Sequence, residues 1–412
     1  MCREREEAES SEYRELGTRT SEVVISGIFP VRKASEMSNS EKAILVKPSL
    51  NETQVVELVG QLYGLKVSEV QPMPSYDDQN FHIQVAETQA SGDHRRSYVL
   101  KVLNATDSQD VDLVEVQTRV MMFLKQKGFP APTPIPTTDG RIMSLETINS
   151  GQECKTHMVR LLTYLPGIPL QQIPADPPIL YKVGQALAQI NKVLKEFQHP
   201  KLKSLQRDSF DWKLTNIHQL NKYLYTLKDS ERKIVEQIIQ QILEKVLPNI
   251  KNFHESINHG DFSHTNVLVQ PRHSSADRSN PGHLQQELDI SGILDFSDMN
   301  CGYCVCDLAI CIMYMMLDNN DPMHVGGHIL AGFESEITLS PQERDALYLL
   351  VLGRFAQSLV IGRYVVQFYP DNEEYLMTTS KTGWMLLHQL WELSEEAVQK
   401  VWFETADSYL SP

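Results

Sequence analysis

The spacing of hydrophobic and polar residues changes from a strand-like period to a helical period along the chain. Ordered structure is predicted to begin near Asn51, where Asn51 and Gln54 have the spacing of a capping box and apolar residues follow at helical intervals through Leu62. Alternating runs at residues 80–85 and 98–102 then predict two strands, with a polar turn between them that favours a hairpin. A helix is predicted at residues 113–124, before a proline-rich break.

The second half of the chain is mainly helical by the same criterion. A further hairpin ends in the apolar run 158–165, and Pro166-Gly167 marks a boundary. Beyond that boundary, helical periodicity covers residues 179–197, 214–227, 233–246 and 376–409, the last with a possible break. Short strands are predicted at 267–269 and 290–294, separated by a polar loop. Ser340, Pro341 and Glu343 have the spacing of a helix start, and that helix is predicted to run toward residue 364.

This order of elements predicts an α+β fold with a small antiparallel-sheet lobe and a larger, mainly helical lobe. The predicted division is a disordered N-terminal extension at residues 1–45, the small lobe at 46–165 and the helical lobe at 166–412. The extension has no apolar core of the kind a signal peptide requires. It also contains many glutamates, which mitochondrial presequences avoid.

Composition narrows the possible partners and compartments. The 412 residues carry a formal net charge of -15, which argues against nucleic acid and anionic membranes as main partners. The longest uncharged apolar run, residues 308–317, is too short to span a bilayer. The 6 cysteines do not form the regular framework of a small secreted domain. These features favour a reducing compartment, and the cytoplasm is the expected location.

Two polar motifs flank the predicted short strands of the helical lobe. The first is His259-Gly-Asp261 with Asn266 five residues after the aspartate, and the second is Asp295-Phe-Ser-Asp298. Phosphoryl transfer from a nucleotide needs a carboxylate to accept the proton of the attacking hydroxyl. It also needs an amide oxygen and a carboxylate to hold magnesium against the phosphates. Each fragment alone is typical of a turn or a loop, but the pair in this order indicates a phosphotransferase.

A cation for the phosphates is predicted at Lys101, on the strand at residues 98–102. Fourteen residues later, Glu115 lies on the predicted helix, which could bring its carboxylate to the lysine ammonium and hold it in place. Alone, a strand lysine is more often a solvated residue and a helix glutamate is more often exposed. Their position upstream of the two motifs favours the functional interpretation.

The chain resembles the aminoglycoside phosphotransferase and choline kinase family over about residues 50 to 410. The resemblance is carried by Lys101, Glu115, the two motifs above and Asp307-Leu-Ala309. It implies a protein-kinase-like fold, a nucleotide donor, Mg2+ and a small-molecule acceptor. Further stretches, at residues 74–81, 159–167, 328–334 and 381–384, are most similar to the branch of the family that acts on free 5-hydroxy-L-lysine. That branch implies GTP as the donor, with ATP as the alternative.

The resemblance also implies roles for individual residues. Asp261 would be the catalytic base, and Asn266 and Asp295 would bind Mg2+. Lys101 would contact the nucleotide phosphates with Glu115 orienting it. The loop at residues 75–81, including Ser75 and Asp78, would cover the phosphates, and Tyr164 would lie in the hinge beside the purine. The chain departs from the kinase pattern in having no GxGxxG in that loop and a serine, Ser297, where glycine is common.

Acceptor recognition requires acids for two ammonium groups and a cation for a carboxylate. Asp298, Arg354 and Trp384 are the candidates in the helical lobe, although a surface charge or a core aromatic is as common a role for such residues. Asp307 opens an apolar helix and is predicted to cap it. His264 is predicted to be a free surface histidine.

Three alternatives remain open from the residues alone. The acceptor could be another small amino alcohol, such as choline, ethanolamine or a homoserine-like compound. The fold could also serve as a catalytically silent nucleotide-binding module, although the presence of all four residues Lys101, Asp261, Asn266 and Asp295 favours an enzyme. Finally, Cys301, Cys304, Cys306 and Cys311 could bind zinc or act as a redox switch. Unbound thiols are the favoured interpretation, because Cys311 falls inside an apolar helix.

Overall fold

The computed structural model of the protein describes residues 47–85, 96–149, 154–272 and 287–410. Its first helix begins at the predicted capping box. Asn51 accepts a hydrogen bond from the backbone N–H of Gln54, and the Gln54 side chain accepts one from the Asn51 backbone. This reciprocal pair satisfies two N–H groups that a helix start leaves without partners. The predicted extension at 1–45 lies outside the described residues.

The small lobe is a five-stranded antiparallel sheet with the strand order β1-β2-β3-β5-β4. Its elements are α1 (Glu52–Tyr63), β1 (Val67–Met73), β2 (Gln79–Val85), β3 (Arg96–Val102), α2 (Val111–Gln126), β4 (Ser144–Asn149) and β5 (Cys154–Thr163). The predicted hairpin is confirmed as the pair β2–β3. Strand β1 was not predicted, because its residues do not alternate cleanly between polar and apolar positions.

Alternation along β2 and β3 produces the core of this lobe. Phe81, Ile83 and Leu100 point to the same face of the sheet and pack against Val55 and Val59 of α1. Helix α2 instead contributes its apolar face to the larger core of the helical lobe. The helix therefore joins the two lobes and fixes the position of the sheet over the helical part.

The helical lobe is built around one long buried helix. Its helices are α3 (Pro177–Leu194), α4 (Asp229–Gln241), α5 (Cys304–Met316), α6 (Pro322–Glu334), α7 (Pro341–Val365), α8 (Glu373–Leu376), α9 (Gly383–Glu392) and α10 (Glu395–Asp407). Helix α7 begins at the predicted cap, where Ser340 and Glu343 form a capping box. Among the described residues, α7 alone is long and apolar enough to cross a membrane, and 94% of its most apolar stretch is buried inside the protein.

Residues 214–227 are not the α-helix that their periodicity predicts. They form two 3₁₀ segments, Leu214–Lys222 and Leu224–Thr226, and the first is kinked at Asn216. The Asn216 side chain donates hydrogen bonds to the carbonyls of Arg207 and Phe210. Asparagine side chains compete in this way with the hydrogen bonds of a helical backbone. The segment is therefore bonded to the preceding loop and does not continue as an α-helix.

Short strands position the two polar motifs. They are β6 (Ile168–Pro169), β7 (Glu255–Asn258), β8 (Val267–Pro271), β9 (Leu288–Ile293) and β10 (Asn300–Tyr303). Strand β8 pairs with β6 and β9, and β7 pairs with β10. The architecture confirms the predicted α+β class. All described residues belong to one compact unit, spanning residues 38–412, so a lobe boundary near residue 165 stays a prediction.

Candidate active site

Two loops at the ends of paired strands carry the predicted motifs. Residues 259–266 connect β7 to β8, and residues 294–299 connect β9 to β10. The strand pairing brings the loops together, and the backbone N–H of Leu294 donates to the carbonyl of Asn266 at 2.8 Å. Gly260 has φ +81°, and a Cβ there would lie 2.2 Å from the carbonyl oxygen of Asp298. The close approach of the loops therefore requires glycine at this position.

Asp307 holds the backbone of the first loop from the start of α5. Its two carboxylate oxygens accept hydrogen bonds from the N–H groups of His259 and Gly260 at 2.8 and 2.9 Å. The side-chain amide of Asn191 on α3 donates to the same carboxylate at 3.0 Å. The prediction that Asp307 caps its own helix is wrong, because α5 has no side-chain cap and the carboxylate points to the loop. Asp307 is fully buried and satisfies donors that would otherwise be orphaned.

His259 links the two loops. Its Nδ1 accepts from the backbone N–H of Asp261 at 3.3 Å, and its Nε2 lies 3.0 Å from the carbonyl oxygen of Leu294. These partners select the tautomer with the proton on Nε2. The imidazole is buried, so this bracing persists without competition from water.

Asp261 lies at the centre of the site with both carboxylate oxygens engaged. Oδ2 accepts from the side-chain amide of Asn266 at 2.7 Å, and Oδ1 accepts from Nη2 of Arg354 at 3.2 Å. Burial raises the pKa of Asp261, while the charge of Arg354 opposes that shift. A carboxylate with a raised pKa is a better proton acceptor near neutral pH. The environment is therefore suited to a general base.

The second loop presents a carboxylate that stays ionised. Asp295 has φ +52° and a side chain that is 42% exposed to the cleft. Burial by the surrounding protein acts to raise its pKa, but Lys101 and the backbone N–H of Ser297 lower the pKa to about 2. Asn266 turns its amide nitrogen to Asp261, which leaves its carbonyl oxygen as a possible ligand. Two hard oxygen donors on adjacent loops fit Mg2+.

Lys101 is paired differently from the prediction. Its ammonium lies 2.8 Å from Oδ2 of Asp78 and 3.3 Å from Oδ2 of Asp295. Burial alone would lower the pKa of Lys101, but these two carboxylates raise it above its ordinary value. The lysine thus remains a cation inside the protein, as phosphate binding requires.

The predicted ion pair between Lys101 and Glu115 is wrong. Glu115 accepts a hydrogen bond from Lys201 at 2.8 Å, and its pKa is lowered by that contact. Side chains on a helix advance by about 100° per residue, so the rotation of α2 about its axis decides which one faces the sheet. Here Gln117 faces the site, and its side-chain amide donates to the carbonyl of Ser297 at 2.8 Å.

Hydrogen bonds within the small lobe hold the loop between β1 and β2. Ser75 donates from its hydroxyl to the carbonyl of Asp78 at 2.5 Å, and Asp78 accepts from the backbone N–H of Asn104 at 2.8 Å. The structure therefore gives Ser75 and Asp78 roles in shaping the loop and orienting Lys101. Tyr164, in the predicted hinge, is 41% exposed, and its ring lies 4.6 Å from that of the half-buried His82. The contact of Tyr164 with the purine stays a prediction.

The candidate acceptor residues divide into two groups. Asp298 lies in the second loop beside Asp261, and burial together with the charge of Asp261 raises its pKa to about 7. Arg354 on α7 is buried and contacts Asp261 directly. Trp384 instead packs on the helical core and lies 6.3 Å from the ring of His388, and no described contact joins it to Asp261.

Besides Gln117 and Asn191, three residues near the second loop and Arg354 were missed by sequence reasoning. Arg207 donates from Nη1 to the carbonyls of Ser297 and Met299 at 2.8 and 3.2 Å, which supports the second loop. The rings of Trp212 and Tyr314 lie 4.8 and 5.2 Å from the Arg354 guanidinium. Arg207 and Trp212 lie in the connection between α3 and residue 214, and Tyr314 lies on α5, so all three are outside both motifs. No local pattern could have singled them out.

The prediction that His264 is a free surface histidine is wrong. His264 is buried within the first loop, and burial lowers its pKa to about 4.

The five cysteines among the described residues are all free, and three of them, Cys304, Cys306 and Cys311, are buried. Burial raises the pKa of Cys304 to about 11. Within the described ranges no three His, Cys, Asp or Glu side chains form a metal-binding group, so the zinc alternative has no support there.

Comparison with known proteins identifies the family and the fold of the chain. Residues 69–348 match the model of the phosphotransferase enzyme family. A hydroxylysine kinase from Bos taurus is 47% identical over 92% of this chain and 99% of its own length. One from Xenopus laevis is 49% identical over 89% of this chain and 96% of its own. Among solved structures, amicoumacin kinase hAmiN in complex with AMP-PNP, Ca2+ and Ami superposes with a TM-score of 0.58 at 15% identity, covering 86% of this chain and 100% of its own. The last comparison confirms the protein-kinase-like fold.

Proposed function

We propose, from the premise that this chain belongs to the phosphotransferase enzyme family, that it transfers the γ-phosphoryl group of Mg2+-bound GTP to the side-chain hydroxyl of free 5-hydroxy-L-lysine. As a member of that family the chain is a small-molecule kinase with an alcohol group as acceptor. The choice of acceptor rests on the similarity to kinases named for hydroxylysine. These relatives match 92% and 89% of this chain, at 47% and 49% identity. GTP is the donor implied by the family resemblance.

Asp261 is the proposed base. Asn266 and Arg354 hold its two oxygens in fixed directions, and burial raises its pKa toward the working range. A base in this position takes the proton of the attacking hydroxyl as the new phosphate ester bond forms. Positioning and charge stabilisation account for most of what a phosphotransferase active site must supply, and the base adds proton acceptance.

Lys101, Asn266 and Asp295 are the proposed donor-side residues. Bound Mg2+ would neutralise charge on the phosphates, and the oxygen atoms of Asn266 and Asp295 are the ligands available to hold it. Lys101 stays protonated between Asp78 and Asp295, so it can bind the anionic phosphates. Asp78 takes the orienting role that the resemblance assigned to Glu115.

Arg354 and Asp298 are the proposed acceptor residues. Arg354 is a buried cation beside the base and suits the α-carboxylate of an amino acid. Asp298 suits an ammonium group, and a neighbouring cation would lower its raised pKa and keep it ionised. Choline and ethanolamine have no carboxylate, so they would gain nothing from the Arg354 charge. This difference supports an amino acid over a simple amino alcohol.

A phosphorylation screen tests the proposal. The purified chain would be supplied with Mg2+ and either GTP or ATP, together with 5-hydroxy-L-lysine, homoserine, ethanolamine, choline or an aminoglycoside. The Asp261→Asn variant provides the background. We expect kcat/KM for 5-hydroxy-L-lysine to exceed that of each other acceptor by tenfold or more, about 1.4 kcal/mol. Equal rates with GTP and ATP would remove the donor preference. Absence of turnover with every acceptor would favour the silent nucleotide-binding module.

The proposed reaction is a step of lysine degradation, and we propose the cytoplasm as its location. The free thiols among the described cysteines support a reducing compartment. Fluorescence microscopy of a tagged full-length chain would test the location.

A further inference from the structure

The loop between β1 and β2 contacts the acceptor side of the helical lobe as well as the donor side. The side-chain amide of Asn372, just before α8, donates to the carbonyl of Ser75 at 3.1 Å. Next to Ser75, the ring of Tyr76 meets the ring of Trp212 edge-on, with 5.9 Å between centroids and an interplanar angle of 85°. Both contacts join residues of the small lobe to the helical lobe. The tip of the loop therefore lies across the cleft.

Trp212 places Tyr76 relative to the catalytic carboxylate. The guanidinium of Arg354 lies 4.8 Å from the centre of the Trp212 ring, and its Nη2 donates to Oδ1 of Asp261 at 3.2 Å. Tyr76, Trp212, Arg354 and Asp261 thus form a continuous series of contacts. Lys101 approaches the site from Asp78 and Asp295, which are not part of that series. Tyr76 is accordingly on the acceptor side of Asp261.

The hydroxyl of Tyr76 is a buried polar atom without a hydrogen-bond partner among the residues that the structure describes. A buried hydroxyl in this state is costly, typically by about 1–3 kcal/mol. Burial raises its pKa well above the ordinary tyrosine value, and Asp77, Tyr314 and Asp298 add to the rise. The hydroxyl is therefore neutral, and its oxygen can accept a hydrogen bond from a ligand. When Asp298 is ionised, its charge disfavours phosphate oxygens beside this hydroxyl and favours a ligand cation.

We propose that Tyr76 binds the acceptor, its phenolic oxygen accepting a hydrogen bond from an ammonium group of that molecule. The inference rests on the proposed function, since it names a further residue of the same acceptor site. Asp298 supplies a carboxylate for the same ammonium group. The loop predicted to cover only the nucleotide then contacts both substrates, and Tyr76 selects among acceptors.

Steady-state kinetics of Tyr76→Phe tests this assignment, because the change removes only the hydroxyl. At saturating donor we expect the acceptor KM to rise about tenfold, the effect of one hydrogen bond to a charged group, with donor KM within about twofold. Tyr63→Phe is the matched control, since it also removes a buried phenolic hydroxyl but lies in the hydrophobic cluster of the small lobe. Its kinetics should equal those of the wild type. Thermal melting of both variants would verify that they fold.

Acceptor analogues sharpen the test. Analogues of 5-hydroxy-L-lysine lacking the α-amino or the side-chain amino group would be compared with wild type and Tyr76→Phe. For the analogue that lacks the bound ammonium, the two proteins should have equal KM values. An unchanged acceptor KM in Tyr76→Phe, or a rise confined to donor KM, would overturn the assignment.

Failure of the proposed function has a different signature. In that case wild type does not phosphorylate 5-hydroxy-L-lysine, and the Tyr76 comparison is made with the acceptor that the screen identifies. A preferred acceptor without any ammonium group would overturn the Tyr76 assignment as well. A preferred acceptor with one, and a KM sensitive to Tyr76→Phe, would support it independently.

Discussion

Arg354 donates a hydrogen bond to Asp261 at 3.2 Å, joining the long buried helix α7 to the proposed catalytic base. The arginine side chain is 1% exposed, and the rings of Trp212 and Tyr314 lie close to its guanidinium. A charge buried so completely requires a paired partner. The pair therefore connects α7 to the first loop, and the charge of Arg354 moderates the pKa of the base.

Replacing Arg354 should change the pH dependence of catalysis. Burial raises the pKa of Asp261 and Arg354 opposes that rise, so Arg354→Gln should raise the pKa further. The base works unprotonated, and the acid limb of the kcat/KM profile should move to higher pH by about one unit. Arg344→Gln is the control, because Arg344 pairs with Glu334 at the far end of α7. An unshifted limb in Arg354→Gln would contradict the pairing in solution.

Removing the base should separate catalysis from nucleotide binding. Asp261→Asn retains the shape of the side chain but cannot take up the proton, so kcat should fall about 10²- to 10⁴-fold. The dissociation constant for nucleotide, measured by titration calorimetry, should stay within about twofold, because Asp261 contacts Asn266 and Arg354 and not Lys101. Asp208→Asn changes an 87% exposed aspartate and should leave both quantities unaltered. Normal turnover by Asp261→Asn would show that another group is the base.

Replacing Asp78 should change the donor KM, whereas replacing Glu115 should not. Asp78 lies 2.8 Å from the Lys101 ammonium, whereas Glu115 pairs with Lys201. Asp78→Asn should therefore raise the donor KM about tenfold, through loss of a buried charged contact. Glu115→Gln should change it less than about twofold, as expected for a partly exposed ion pair. The reverse order of effects would restore Glu115 as the residue that orients the lysine.

Asp295 should control the metal requirement. Its pKa of about 2 keeps it ionised throughout the neutral range, so its charge does not vary between pH 6 and 9. Asp295→Asn should raise the Mg2+ concentration for half-maximal activity about tenfold or abolish turnover, at fixed nucleotide. Asp289→Asn is the control on strand β9, because Asp289 pairs with Lys182. An unchanged Mg2+ titration for Asp295→Asn would exclude the residue as a ligand.

Replacing Asp307 should lower the free energy of unfolding of the protein. Asp307→Ala leaves the N–H groups of His259 and Gly260 and the amide of Asn191 without their acceptor. The free energy of unfolding, measured with urea, should fall by about 3 kcal/mol or more. Asp307→Asn keeps one acceptor oxygen and should lose less. The exposed Asp371→Ala provides a baseline near zero, and an equally small loss for Asp307→Ala would refute the bracing role.

Local patterns predicted much of the fold because they depend on neighbouring residues. The capping boxes at Asn51 and Ser340 and the hairpin β2–β3 follow from short-range hydrogen bonding and from alternation. Strand β1 was missed because it lacks that alternation. Residues 214–227 were predicted to form an α-helix because their apolar residues have helical spacing. That spacing gives no sign of the hydrogen bonds from the Asn216 side chain to the preceding loop.

The sequence alone determined the chemistry of this protein. Asp261, Asn266 and Asp295 lie on short loops beside predicted strands, and their spacing is sufficient to indicate phosphoryl transfer. The tertiary structure alone decided which partners these groups have. Lys101 is paired with Asp78 and not with Glu115, Asp307 lies beneath the first loop, and Arg354 meets Asp261 across 93 residues of sequence. These pairings depend on how the helices are rotated about their axes when they pack. That rotation is set by the fit of the whole core, to which no single stretch of sequence corresponds.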